Sequence, residues 1–168
     1  PLHEHPQPDL IPTKDEEPNT EGDVPPEVLQ RIRDLWDWRC DAIRDDPEQH
    51  PLEASVFAPT FASSKFDDDW SLATFETVLA AGSPDWLGHD IIERLAIVAT
   101  SEPATATRLV LRMLENAANE WDHATWEDPV RSLLMATTDA HDDETRDYRG
   151  AIISHYVTRG YYDFTNLA

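Results

Sequence analysis

The chain holds 168 residues, 40% of them apolar and six of them tryptophan, which is enough for one packed domain with length left over. Its 34 acidic against 13 basic side chains give a net charge of −21, a field that repels nucleic-acid phosphate and anionic lipid, so DNA, RNA and membrane surfaces are excluded as direct partners. Cys40 stands alone, which rules out an internal disulfide, and no apolar run reaches the length of a membrane span, so a reducing, cytoplasmic setting is expected.

Residues 1–24 combine prolines and acids with too few apolar groups to offset ordering entropy, and they are expected to form a disordered acidic, Pro-rich tail or linker ahead of a helical domain over 25–168. The first residue is Pro1 and not Met, so a processed or longer parent chain is expected. The first helix opens at Pro25-Pro26, where a missing N–H is harmless, and runs to about Asp45 with Val28, Leu29, Ile32, Leu35, Trp36, Arg39 and Ile43 on one stripe. A second, over 51–63, turns Leu52, Val56 and Phe57 inward and contains Pro59. A third starts under a cap at Asp68 or Asp69, carries Trp70, Leu72, Phe75, Val78 and Leu79, and ends at Gly82, read as a left-handed closing residue. The fourth, 86–100, and the fifth, from Pro103, show Ile91, Ile92, Leu95 and Val98, then Leu109, Val110, Met113 and Leu114. The sixth is placed at 125–137, which keeps Pro129 in its first turn. The seventh opens at His141-Asp142-Asp143 and stops at Gly160, with Tyr148, Ile152, His155 and Tyr156 on one face.

No strand alternation interrupts this series. Helix starts at 51 and 84, 69 and 103, and 103 and 142 lie 33, 34 and 39 residues apart, the length of a two-helix repeat of the HEAT or armadillo kind. Short loops force antiparallel neighbours. The expected fold is therefore all-α, about seven helices with the second paired to the third, the fourth to the fifth and the sixth to the seventh, as a short right-handed solenoid or a compact bundle.

The aromatic segments Leu35-Trp36-Asp37-Trp38-Arg39, Ser63-Ser64-Lys65-Phe66-Asp67-Asp68-Asp69-Trp70 and Arg159-Gly160-Tyr161-Tyr162-Asp163-Phe164 give residues 25–168 a likeness. Together they resemble the C-terminal helical segment of large prokaryotic multidomain proteins, some of them similar to defence-associated nucleotidases and NTPases. That resemblance implies a non-catalytic regulatory or sensing appendage.

Two His-Asp dipeptides raise an enzymatic alternative, because a helical family of metal phosphohydrolases is built on a His, a His-Asp pair and a later Asp. His50, His89, Asp90 and Asp143 can be threaded onto that pattern. Both dipeptides also fall where helices begin, where an Asp caps free N–H groups, and that structural role is preferred. No nucleophile elbow, phosphate loop or metal-binding Cys pair occurs, so neither cofactor nor metal is expected. Of the tryptophans, Trp36, Trp70 and Trp126 fall on apolar stripes and belong to the core. Trp38, Trp86 and Trp121, together with Tyr161, Tyr162 and Phe164 near the end, are left as candidate anchors for a protein partner.

Lys14 and Lys65 are the only lysines, and the acids are spread along the chain. Such a balance suits a protein adapted to concentrated salt, where the Debye length shrinks to about 3 Å at 1 M and self-repulsion is screened. The expected function is a non-catalytic helical interaction or scaffold module, with the phosphohydrolase and an acidic DNA mimic as alternatives.

Overall fold

A computed structural model describes residues 24–117 and 119–168, so the expectation of a tail over 1–24 lies, apart from Val24, outside the described residues. All regular structure among the described residues is helical: α1 (Pro26–Asp45), α2 (Glu53–Ala62), α3 (Asp68–Leu79), α4 (Gly88–Val98), α5 (Pro103–Asn116), α6 (Glu120–Ala136) and α7 (Asp143–Val157), with short 3-10 turns at Pro47–Gln49, Asp85–Leu87 and Tyr162–Leu167.

Local chemistry explains most of the starts. Pro26 occupies the first turn of α1 and Pro103 that of α5, where no N–H is needed. Asp67 caps α3 by accepting from the Trp70 amide at 2.9 Å, one residue earlier than the acidic run suggested, and Asp142 caps α7 through the Thr145 amide at 2.6 Å. Asp90 sits in the first turn of α4 without capping it, so only the second His-Asp pair supplies a cap.

α1, α4, α5, α6 and α7 each pack chiefly on a helix two places away, whereas α2 and α3 pack chiefly on each other, as the expected pairing of the second helix with the third requires. The contacts of α4 with α6 and of α5 with α7 are the most extensive, α1 meets α3, α2 meets α4 and α3 meets α5, while α2–α3 and α4–α5 join the two rows. Side-chain bonds tie helices together within a row. Asp37 of α1 accepts from Trp70 Nε1 near the start of α3 at 2.9 Å, and His89 at the start of α4 meets the Thr125 carbonyl in the first half of α6 at 3.0 Å. The expected pair α6–α7 is joined mainly by long side chains: Tyr156 Oη donates to the His123 carbonyl at 3.1 Å, and Arg149 donates to the Leu134 carbonyl and to Thr137 Oγ1.

Aromatic rings run the length of the core. Trp36 meets Phe57 edge-on at 4.7 Å, Phe61 stacks on Phe75 at 4.6 Å, and Tyr156 stacks on Phe164 at 4.2 Å. Cys40 of α1 is buried as well, which pushes its thiol pKa up.

Several inward assignments do not hold. Val28 and Leu35 of α1 and Leu52 and Val56 around α2 are exposed. α1 is an end helix whose main partner is α3, so only the side of its stripe holding Trp36, Cys40 and Ile43 is covered. Gly82 is not in the left-handed region; a Cβ there would lie 2.1 Å from the Pro51 carbonyl oxygen, so close backbone approach requires glycine at that position. Gly160, placed at the end of α7 by the sequence, is the glycine among the described residues that takes a positive φ, +97°. α6 begins five residues earlier than expected, capped by Asn119, which accepts from the Asp122 amide. Pro129 consequently lies inside the helix, and the carbonyl it orphans, that of Thr125, is the one the His89 ring satisfies.

Candidate functional site

Where α4 and α6 begin side by side, a cleft of about 420 Å³ opens between two exposed indoles. Trp86, on the 3-10 turn before α4, is 80% exposed, and Trp121, in the first turn of α6, is 75% exposed. Trp126 lines the cleft from α6 and is 2% exposed. A Cβ on Gly88 would stand 2.3 Å from the Trp126 ring, so glycine at the start of α4 lets that indole lie flush against the backbone. Asn119, Asp122, Thr125 and His89 complete the wall.

The polar groups divide into those already engaged and one, half-buried, without an ion pair among the described residues. His89 donates from Nδ1 to the Thr125 carbonyl and holds Nε2 3.3 Å from Glu93 Oε1; the carbonyl bond raises its pKa most, burial opposes it, and Glu93 adds to the rise. Asn119 Oδ1 is used in capping α6. Asp122 lines the cleft and takes part in no ion pair among the described residues. Two exposed indoles and a carboxylate suit a group that is flat or apolar and positively charged.

Trp86 and Trp121 are 35 positions apart and share this cleft. Trp38 is exposed on α1, which contributes nothing to the cleft. Tyr162 is exposed on the closing 3-10 turn, and Tyr161 is half-buried edge-on to Tyr156 at 5.3 Å. Phe164 cannot anchor a partner: it is fully buried, stacked on Tyr156 and covered by the Arg131 guanidinium 4.2 Å from its ring centre. His89 and Trp126 of the cleft were visible in the sequence in other roles, one as a possible metal ligand and one as core. Asp122 carried no signal of its own.

The His-Asp constellation is not assembled. His50 lies 3.7 Å from Glu53, His89 is tied to Thr125 and Glu93, and Asp143 pairs with Arg146 at 2.6 Å. Among the described residues no three His, Cys, Asp or Glu side chains converge as a metal site would require, and no helix is long and apolar enough to cross a membrane.

Compared with protein-family models, with curated proteins and with solved structures, the chain matches none.

Proposed function

We propose that this chain is a non-catalytic protein-interaction module, a salt-adapted stack of helix pairs of the HEAT or armadillo kind that works by surface complementarity. The observation that carries the reading is the meeting of Trp86 and Trp121 at one acidic cleft, since exposed aromatics gathered in one place mark interface anchors more strongly than scattered ones do.

The repeat reading draws support from the spacing of tertiary side-chain bonds. Arg33 to Asp67, Trp70 to Asp37, Arg94 to Phe61, Arg108 to Glu76 and Arg131 to Asp163 span 34, 33, 33, 32 and 32 residues. A common step of that size arises when equivalent helices of successive pairs lie side by side. Exposed carboxylates on every helix except α2 favour salt adaptation over a single charged stripe that mimics DNA.

The test is capture of partner protein from an extract of the source organism at that organism's own salt concentration. A defined protein retained by the native chain and lost from both Trp86→Ala and Trp121→Ala, with helicity unchanged by circular dichroism, is the expected outcome. Retention untouched by both substitutions would refute the interface. Stoichiometric Mn, Fe or Zn in the native protein, lost in His89→Ala or Asp90→Ala, would put the phosphohydrolase first.

A further inference from the structure

Within this one chain the same recognition unit recurs four times: an arginine lies over an aromatic ring and pairs with a carboxylate. Arg33 stands 5.0 Å from the Trp70 ring centre and pairs with Asp67. Arg39 stands 5.0 Å from Trp36 and holds Glu53 through two bonds of 2.6 and 2.8 Å. Arg94 lies 4.7 Å from Phe61 and donates to Asp68 at 2.8 Å, and Arg131 lies 4.2 Å from Phe164 and donates to Glu127 at 2.8 Å.

The cleft between α4 and α6 presents the receptor half of that unit, exposed indoles of Trp86 and Trp121 and a carboxylate on Asp122, and no arginine or lysine of the described residues lines it. We infer that this cleft binds an arginine side chain presented by a basic segment of a partner protein. The inference rests on the interaction-module reading above.

Charge decides the sign of the guest. The two helix N-termini contribute about half a positive charge each. Asp90, Glu120 and Asp122 stand on the first turns of the same two helices and, with Glu93 one turn further along α4, outweigh them, and the whole chain adds a net charge of −21. An anion is therefore disfavoured despite the helix ends. Geometry decides between the cations: a guanidinium is planar, weakly hydrated and able to stack on an indole while it forks to a carboxylate, whereas a lysine ammonium is a compact, strongly hydrated point charge.

The experiment titrates the full chain with the end-blocked peptide Gly-Ser-Arg-Ser-Gly and follows the indole N–H resonances of Trp86 and Trp121, with lysine, citrulline, glutamate or proline replacing the arginine in parallel. Saturable shifts of both indoles are expected, with arginine binding about fivefold tighter than lysine and at least about tenfold tighter than citrulline. Asp122→Asn and Trp121→Ala should each weaken arginine binding by about tenfold, and Trp38→Ala should leave it unchanged. Trp86→Phe, which keeps a ring, should bind better than Trp86→Ala. No saturable shift, or equal binding of the citrulline, glutamate or proline peptide, would overturn the assignment. If partner capture still depended on Trp86 and Trp121 in that case, the arginine proposal would fail while the module reading stood; if capture ignored both, the module reading would fail by itself.

Discussion

His123 and His155 meet Nε2 to Nε2 at 2.8 Å with their rings stacked, and Tyr156 closes over them. His123 directs Nδ1 at the Asn119 carbonyl, which can only accept, so its Nε2 is left to accept from His155. Burial first, then Arg159, then His123, lower the pKa of His155 from 6.5 to about 4. Between those two values the unfolded chain takes up a proton that the folded protein refuses, so this group's contribution is complete above pH 6.5 and is lost as pH falls through 4. With the ring partly open to water the loss should be about 1–2 kcal/mol. Urea midpoints measured between pH 7 and 4 should fall more steeply for the native protein than for His155→Phe; parallel curves would remove this pair from the acid response. Glycine gives a second test at this scale. Gly88→Ala must displace the Trp126 ring, which costs about 1–3 kcal/mol, while Gly150→Ala meets no atom within 4 Å and should cost nothing. Equal stability of the two variants would mean that Trp126 moves freely.

Helix ends in this protein are finished by neighbouring helices as well as by their own caps. Arg94 of α4 donates to the Phe61 carbonyl at the end of α2, Arg149 of α7 to the Leu134 carbonyl near the end of α6, and Asn116 of α5 to the Leu79 carbonyl at the end of α3. Both arginines are buried, and a guanidinium stays charged where a lysine would lose its proton, which accounts for arginine at those sites. His89 does related work in mid-helix by serving the carbonyl that Pro129 leaves bare. His89→Leu should therefore cost about 1 kcal/mol in the native background and clearly less in Pro129→Ala, where the restored N–H takes over the bond. Chemical denaturation of the four proteins of that cycle checks it, and equal costs would show that the ring does not serve Pro129. The same contact explains what was not legible in the chain. Seven helices, the starts of α1, α5 and α7 and most core residues follow from period and local chemistry, but a proline repaired by a residue 40 positions earlier leaves no local trace, and the sequence places the start of α6 five residues late. The exposure of Val28, Leu35, Leu52 and Val56 was hidden for a related reason: periodicity shows a stripe but not how many neighbours cover it. The cleft was half legible, because off-stripe position singled out Trp86 and Trp121, while their meeting needed the packing of α4 on α6.

At the scale of the whole molecule, arginine pairs are concentrated between helices and leave much of the carboxylate on the surface without a cation. Glu115, Asp128, Glu144 and Asp147 are exposed, take part in no ion pair among the described residues, and stand on α5, α6 and α7. In dilute buffer these charges repel across a compact body and oppose folding; at 1 M salt, with a Debye length of about 3 Å, only neighbours in near contact still feel one another. Surface ion pairs weaken as well, yet exposed pairs contribute only about 0–1 kcal/mol each, so with a net charge of −21 the relief of repulsion should dominate. The melting temperature should accordingly rise between dilute buffer and molar KCl, each kcal/mol gained appearing as about 2–6 °C for a domain of this size. A general strengthening of apolar burial by salt would give the same sign, so the deciding comparison is with the variant Glu115→Gln, Asp128→Asn, Glu144→Gln and Asp147→Asn. Removing four negative charges should raise the melting temperature in dilute buffer and flatten its dependence on KCl. If the native curve were flat or falling, or if the variant kept the native slope, screening of the acidic surface would not be what salt does for this fold.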